Sequence, residues 1–220
     1  TEHEAEINGI DINIKDFNEI EDEEDIIKVM MIDPQEILDP AIGKLPSEIY
    51  EKYKAQREET PEAIRLSIPI IKEIISAYNI PILEVAGYEA DDVIGTLATK
   101  ASLKSIETYM MTPDKDYGQL VNDNVFIYKP KYGDKEFEIM GIEAVKAKFN
   151  IESPTQVIDI LGLMGDASDN IPGCPGVGEK TAQKLISEFG SIENLLENTE
   201  KLKGAVKTKI EANKELIVFS

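Results

Sequence analysis

Acidic residues gather at three points of the sequence, and their types and spacing could support metal-dependent chemistry. The clusters are Glu89, Asp91 and Asp92, then Asp114 and Asp116, then Asp166 and Asp169. Carboxylates held close together repel one another unless a cation neutralises them. Their oxygens, with no His or Cys nearby in sequence, suit Mg²⁺ or Mn²⁺ rather than zinc. Two such ions about 4 Å apart can activate a water and stabilise the leaving oxygen of a phosphodiester.

Taken singly, each cluster is typical of a helix N-terminus or a solvated turn. The elements that precede the clusters favour a shared site. Strands are predicted over 80–85 and 106–112, each shortly before a cluster, and a helix over 154–164 precedes the third. Loops that follow parallel strands meet at one edge of a sheet, so the first two clusters are expected to lie together. The apolar run in 106–112 indicates a strand buried on both faces.

Helical and strand patterns alternate from residue 60 onward and predict an α/β fold. Thr60 as N-cap and Pro61 at the first helical position begin a helix that ends at Asn79. Its predicted buried face contains Ile64, Ile68, Ile71, Ile75 and Tyr78. The other predicted elements are a helix over 89–102, a helical turn at 119–121, a hairpin of 125–129 with 137–140, and helices over 142–149, 154–164, 179–189, 191–197 and 202–214. Together they form a βαβ core with a parallel sheet, followed by a helical C-terminal part.

Residues 170–182 form the most specific local pattern and predict a phosphate site. Gly173, Gly176 and Gly178 are interleaved with prolines, which favours a tight turn with exposed backbone. A helix beginning at Glu179 would present free N–H groups, which suit a phosphate oxygen. The spacing is neither a dinucleotide fingerprint, because no strand precedes it, nor a Walker A loop. The alternative is an ordinary helix–helix turn.

Two basic residues lie before the Thr60 helix start, in the stretch 53–57. Lys54 and Arg57 are three positions apart, so on a helix they would share a face. Beside a metal site they could clamp a phosphate. Without such a site they are typical of a solvated helical turn.

The composition limits the classes of protein that remain. The 220 residues carry a formal net charge of −20, which argues against a general cationic surface for nucleic acid or anionic lipid but not against a local basic path. One cysteine, Cys174, and one histidine, His3, exclude a disulfide framework and make His-dependent catalysis unexpected. No apolar run approaches the ~20 residues that span a bilayer. We therefore expect a soluble protein of the cytoplasm.

Residues 1–45 form an acidic N-terminal segment that holds more than half of the net negative charge. The run Glu21 to Asp25 is typical of a solvated loop or helix start. The apolar stretch 26–32 could be a strand ending at Asp33. The expected organisation is thus an acidic segment over 1–45, a core over 46–150 and a helical part over 151–220.

The motifs together resemble one family, the 5′-nuclease domain of bacterial DNA polymerase I, within the flap endonuclease superfamily. The resemblance runs from about Tyr50 to Ser220. It is carried by 53–57 (Tyr-Lys-Ala-Gln-Arg), 87–92 (Gly-Tyr-Glu-Ala-Asp-Asp), 112–116 (Thr-Pro-Asp-Lys-Asp), 165–170 (Gly-Asp-Ala-Ser-Asp-Asn) and the 171–182 loop. The motifs occur in the family's order and with similar spacing.

The resemblance implies a Rossmann-like (PIN-like) nuclease core with a helical arch and a C-terminal helix-three-turn-helix. It implies two Mg²⁺ or Mn²⁺ ions held by the seven acids of the three clusters, with Lys54 and Arg57 at the scissile phosphate. Implied DNA contacts are Tyr53, Gly173, Gly176, Val177, Gly178, Lys180 and Thr181, with a K⁺ ion at the loop. The implied reaction is hydrolysis at 5′ flaps or nicks of DNA, and also of RNA primers, near the bacterial nucleoid. A polymerase module is expected in the intact family protein.

The resemblance leaves one metal ligand open near the N-terminus. The family has a second Asp fifteen residues before the Lys that matches Lys54, and this position is Asp39. Asp33 follows the better strand but has the wrong separation. The family's expected Arg position is Pro46 in this chain.

Three functions follow as hypotheses. The first is an active 5′ nuclease, favoured by the full acid set after residue 87. The second is a non-catalytic binder of DNA junctions with the same fold, favoured by the missing first strand and by Pro46. The third is an acidic interaction module in which residues 1–45 bind a basic partner.

Overall fold

The structure is a computed structural model that describes residues 52–55, 59–85, 88–130 and 137–220. The predictions for Asp39, Asp33, Arg57 and the strand 26–32 lie outside these residues. The described residues fall into two units. One contains 59–85 and 88–94, and the other contains 52–55, 95–130 and 137–220.

The first unit is built on helix α1, Glu62–Ala77. The predicted helix and its end are confirmed, because Tyr78 is the C-cap and Asn79 has a left-handed φ of 55°. The predicted start is wrong by one position. Pro61 is the N-cap, no side chain caps the helix, and the Pro61 carbonyl accepts the first backbone hydrogen bonds. Proline can occupy this place because the N–H that it lacks would have no partner there.

The buried face of α1 is narrower than the apolar spacing predicts. Ile68 and Ile75 are buried, whereas Ile64 and Tyr78 are exposed. Lys72 is also buried, between Ile68 and Ile75 in the sequence, and its ammonium pairs with Glu84 Oε1. A buried lysine needs such a counter-charge, because desolvating an unpaired ammonium is costly. The pair fastens α1 to the segment that leads toward Glu89.

The predicted strand over 80–85 is not present as a strand. Residues 80–85 have no regular secondary structure, and no ladder joins them to another strand among the described residues. The apolar composition that favours a strand is present, but a strand exists only with a hydrogen-bonded neighbour. Helix α2, Ala90–Leu103, follows and confirms the predicted helix, with Ala98 and Ala101 buried.

The second unit contains a three-stranded sheet of β1 (Thr108–Met111), β2 (Val125–Pro130) and β3 (Phe137–Met140), in that order. Strands β1 and β2 are parallel, with Thr108 opposite Val125. Strands β2 and β3 are antiparallel, with Ile127 opposite Met140. The predicted hairpin is confirmed, and the sheet contains a parallel pair, formed by β1 with β2 and not with the segment 80–85. A 3₁₀ helix at Asp116–Leu120 stands where the short helical turn is predicted.

The apolar run of β1 predicts that the strand is buried on both faces, and this prediction is wrong. Met110 is 5% exposed, but Tyr109 and Met111 are 45% and 66% exposed. The alternation shows one face packed against the core. On the other face Tyr109 stacks on Phe126, with ring centres 5.4 Å apart.

The rest of the second unit is helical, as predicted. Its α-helices are α3 (Ile142–Phe149), α4 (Val157–Met164), α5 (Glu179–Phe189), α6 (Ile192–Glu197), α7 (Gly204–Ala212) and α8 (Lys214–Phe219). The helix predicted over 202–214 is divided at Asn213, which is the C-cap of α7 and the N-cap of α8. Fully buried side chains from all six of these helices form the core, among them Val145, Ile160, Leu163, Ile186, Leu195, Ile210 and Ile217. Within the described ranges, no helix is long and apolar enough to cross a membrane.

Candidate functional site

The second acidic cluster lies at the carboxyl edge of the sheet, directly after β1. The Thr112 hydroxyl accepts a hydrogen bond from the Asp114 N–H, at 3.1 Å. Asp114 Oδ1 in turn accepts one from the Asp116 N–H, at 3.0 Å. These short-range bonds turn the chain away from the strand and into the 3₁₀ helix. Asp114 is exposed and Asp116 is half-buried, so both carboxylates are held on an ordered loop.

The third cluster lies on a closed loop after α4. Gly165 is the C-cap of this helix and has a φ of +70°. Asp166 and Ile171 then pair through two backbone hydrogen bonds of 3.0 and 2.8 Å, which close the loop between them. Asp166 Oδ1 accepts hydrogen bonds from the N–H, at 2.7 Å, and the hydroxyl of Ser168. The Asp166 carboxylate therefore has a fixed position.

Lys115 joins the second cluster to the third. Its Nζ donates a hydrogen bond of 2.7 Å to Asp166 Oδ2, across 51 positions of sequence. Partial burial by itself would raise the pKa of Asp166. The hydrogen bonds from Lys115 and Ser168 outweigh it and hold this pKa at about 2, below the ordinary 3.8. Burial likewise disfavours the Lys115 ammonium, but Asp166, Asp116 and Asp114 together leave its pKa raised.

Lys54 is placed against the third cluster. Its backbone N–H donates to the Asp169 carbonyl at 3.0 Å, and its Nζ lies 4.0 Å from Asp169 Oδ2. The Asn170 side chain donates to the Lys52 carbonyl at 2.7 Å, which fastens the two segments at a second point. The Lys54 ammonium also lies 4.8 Å from the centre of the Tyr53 ring. A side chain predicted to contact phosphate thus lies beside an acidic loop.

Lys54 is not helical, so it does not lie on the helical face that the sequence predicts it to share with Arg57. Residues 52–55 form a turn, in which Lys54 has a left-handed φ of 53°. Arg57 lies outside the described residues, so the pairing of these two side chains stays a prediction. A left-handed lysine is uncommon, and here the hydrogen bond to Asp169 accompanies that conformation.

The first cluster, Glu89, Asp91 and Asp92, belongs to the first unit. Glu89 precedes α2, while Asp91 and Asp92 occupy its first turn. The Asp92 carboxylate accepts the Glu89 N–H at 3.0 Å, which is the pattern of a helix start. The predicted meeting of this cluster with Asp114 and Asp116 stays a prediction.

The donor set of the second unit has the oxygen chemistry that suits a hard divalent ion. Its four acids, Asp114, Asp116, Asp166 and Asp169, offer only carboxylate oxygens, the ligands that Mg²⁺ and Mn²⁺ prefer. In the described ranges no group of three or more acidic, His or Cys side chains is arranged to hold an ion. Both oxygens of Asp166 are engaged, one by Ser168 and the other by Lys115. An ion that takes an Asp166 oxygen therefore competes with a protein group.

The glycine loop is a turn whose backbone is partly exposed. Gly173 and Gly176 have φ values of +58° and +77°, in the region where glycine is favoured. Gly176 and Gly178 are exposed, whereas Gly173 and Val177 are buried. Gly178 is the N-cap of α5 and no side chain caps it. Lys180 is exposed and Thr181 is half-buried on the first turn of this helix.

Lys209 and Lys115 are site residues to which the sequence assigns no role. Lys209 Nζ donates to the Gly176 carbonyl at 2.8 Å, so α7 supports the glycine loop. The two are 33 positions apart, and no local pattern connects them. Lys115 lies between two acids, and that position is the one local signal of its role as a counter-charge.

Two family models match this chain and together cover most of it. The 5′-3′ exonuclease N-terminal resolvase-like domain matches residues 25–150. The 5′-3′ exonuclease C-terminal SAM fold matches residues 152–220. The first match begins at residue 25, closer to the N-terminus than the resemblance seen in the motifs.

Curated relatives include bacterial polymerases and a separate exonuclease. DNA polymerase I of Bacillus caldotenax is 40% identical over 174 residues, which are 79% of this chain and 20% of the relative. The 5′-3′ exonuclease of Aquifex aeolicus is 46% identical over 153 residues, which are 70% of this chain and 51% of the relative. The chain thus spans a fifth of the polymerase and about half of the exonuclease.

Solved structures support the fold. The T5 D15 protein co-crystallised with metal ions aligns with a TM-score of 0.65 at 22% identity, over 79% of this chain and 68% of that one. The T5 D15 flap endonuclease in a pseudo-enzyme-product complex with DNA and metal ions gives 0.63 at 22% identity, over 79% and 66%. The α/β class with a helical C-terminal part is confirmed, and the chain belongs to the 5′-3′ exonuclease family.

Proposed function

We propose that this chain is a structure-specific 5′ nuclease that hydrolyses phosphodiesters at 5′ flaps of DNA with two Mg²⁺ or Mn²⁺ ions. The observation that carries the proposal is the meeting of three segments in the second unit. Lys115 of the 114–116 loop contacts Asp166, and Lys54 contacts Asp169. These contacts support the proposal, because four acids and a cation lie on adjoining loops. Membership of the 5′-3′ exonuclease family supports the same activity.

In the proposed site the acids would hold metal ions, and the basic residues would hold the substrate. Asp114, Asp116, Asp166 and Asp169 would hold ions, joined by Glu89, Asp91, Asp92 and Asp39. The ions would supply an activated water and stabilise the leaving oxygen. Lys54, with Arg57, would hold the scissile phosphate and reduce its negative charge. No His or Cys is needed for such a hydrolysis.

The glycine loop would hold duplex DNA away from the reacting phosphate. Its exposed glycines and the start of α5 present backbone N–H groups, which bind phosphate oxygens. A K⁺ ion at this loop would add positive charge, and Lys180 lies exposed on the same turn. Tyr53, Val177 and Thr181 complete the proposed contacts. This arrangement gives local binding without a basic surface, which agrees with the net charge of −20.

The proposed organisation and setting extend the family assignment. We divide the chain into an acidic segment over 1–45, a nuclease core with its arch over 46–150 and a DNA-binding part over 151–220. The junction between the two family models, at residues 150 and 152, supports the last boundary. RNA primers are a further substrate, a polymerase module is the partner in the intact protein, and the bacterial cytoplasm near the nucleoid is the location.

A panel of labelled substrates tests the function. With Mg²⁺, a 5′ flap should be cut near its junction with duplex, while blunt duplex should be cut much more slowly. The lengths of the labelled products locate the cut and separate flap cleavage from stepwise exonuclease action. Flap binding without any product would contradict the proposal.

Replacement of Lys209 by Met should weaken flap-DNA binding about 3- to 10-fold, since a charged hydrogen bond that supports the loop is lost. Lys207→Met is the matched control, because Lys207 lies on the same helix and pairs with Glu211 instead. Fluorescence anisotropy with a labelled flap measures both affinities at one salt concentration. Equal losses in the two variants would show that charge, and not loop support, is responsible.

A further inference from the structure

Lys115 has a charge and a position that neither the acids nor the phosphate contacts of the proposed function require. It lies within the 114–116 cluster yet points its ammonium at the third cluster, 2.7 Å from Asp166 Oδ2. The Lys115 side chain is 37% exposed and that of Asp166 is 21% exposed. The contact is therefore partly shielded from water and stronger than a fully exposed ion pair.

The Lys115 ammonium contacts Asp166 and also interacts electrostatically with Asp116 and Asp114. Asp114 and Asp116 flank it in sequence, and Asp166 accepts its hydrogen bond. The Lys115 ammonium offsets part of their negative charge, and without it these acids would repel one another more strongly. The backbone bridge between Asp166 and Ile171 closes this loop, and Ser168 also holds the Asp166 carboxylate. Lys115 thus supplies a positive charge beside these acids in the absence of a bound metal ion.

We propose that Lys115 is an internal counter-ion that joins the two acidic loops in the metal-free protein and releases Asp166 when a divalent ion binds. The inference rests on the proposed function, because it takes Asp166 as a metal ligand. Lys115 is thus a positioning residue. Its ammonium keeps the acids together at low metal concentration, and its competition for Asp166 sets the concentration at which an ion enters.

A Lys115→Met variant should be less stable without metal but should bind Mn²⁺ more tightly. The metal-free protein should unfold about 2–4 °C lower, because the ion pair is lost and the acids repel. Its Kd for Mn²⁺ should be about 3- to 10-fold lower than that of the wild-type chain, because no ammonium competes for Asp166 and the site is more negative. A residue that merely supports the fold would lower stability and metal affinity together.

The experiment uses calorimetric titration of Mn²⁺ and thermal unfolding in chelator, both without DNA. Lys146→Met is the matched control, since it removes the same charge and breaks an ion pair of 3.0 Å with Glu143 on α3. Its Kd should stay within about twofold of wild type. Lys115→Arg keeps a cation and should restore metal-free stability and the wild-type Kd.

The Mn²⁺ titration and the unfolding experiment together test whether Lys115 acts as a counter-ion. Lower metal-free stability with tighter Mn²⁺ binding in Lys115→Met, and not in Lys146→Met, supports it. Unchanged or weaker binding overturns it, and so does absence of Mn²⁺ binding by the wild-type chain. Flap cleavage measured on the same wild-type sample shows separately whether the proposed function fails, so the two failures can be distinguished.

Discussion

Replacement of Asp116 by Asn is expected to reduce flap cleavage at least about a hundredfold while flap binding stays within a few-fold of wild type. The change keeps the shape of the side chain and removes the negative charge that a divalent ion needs. A catalytic ion contributes several kcal/mol to the transition state, and about 1.4 kcal/mol corresponds to tenfold in rate. Single-turnover cleavage of a labelled flap measures the loss, and anisotropy measures binding.

Asp123→Asn is the matched control for this prediction. Asp123 is exposed in the turn before β2, at the opposite edge of the sheet from Asp114. The same charge is removed from the same unit, so cleavage should stay within about twofold of wild type. If both variants lose cleavage equally, or if Asp116→Asn cleaves normally, Asp116 does not hold a catalytic ion.

Replacement of Gly165 by Ala should lower the free energy of unfolding by about 3 kcal/mol. A Cβ on Gly165 would lie 2.5 Å from the Ile171 carbonyl oxygen and 2.7 Å from the Gly173 nitrogen, both backbone atoms that cannot rotate away. The φ of +70° adds a left-handed penalty of about 1–2 kcal/mol, and overpacking adds about 1–3 kcal/mol. Urea unfolding measures the change.

Gly190→Ala separates the two contributions. Gly190 also has a left-handed φ, of +83°, but a Cβ there would meet nothing within 4 Å. The free energy of unfolding of Gly190→Ala should therefore fall by about 1–2 kcal/mol, from the backbone conformation alone. Because Gly165 lies between α4 and Asp166, the Gly165 variant should also lose Mn²⁺ affinity, which the Gly190 variant should keep. Equal losses of stability would mean that the close backbone approach at Gly165 does not matter.

Elements with a regular apolar period could be predicted from sequence, and their agreement has a physical reason. Helices α3 and α5 begin and end at the predicted residues because their apolar positions fix one buried face, including Val145, Leu185 and Ile186. The hairpin of β2 and β3 is equally local. The closed 165–171 loop follows the predicted helix end, and Gly165 provides the left-handed cap there.

Features that depend on distant partners could not be predicted. The segment 80–85 has the composition of a strand, but pairing is a property of its neighbours and not of its own residues. The contact of Lys115 with Asp166 spans 51 positions, and that of Lys54 with the Asp169 loop spans more than a hundred. Sequence spacing therefore predicts which residue types belong to a metal and phosphate site, whereas the pairing of acids with lysines appears only in the fold.

In the proposed function the acidic loops act through bound divalent ions to cut a 5′ flap. The most direct test is one flap-cleavage reaction followed in chelator and then after Mg²⁺ is added in excess. We expect no product in chelator, rapid cleavage near the flap junction after Mg²⁺ is added, and no such recovery for Asp116→Asn. Cleavage that continues in chelator, or a wild-type chain that binds the flap and stays inactive with Mg²⁺ and Mn²⁺, would contradict it.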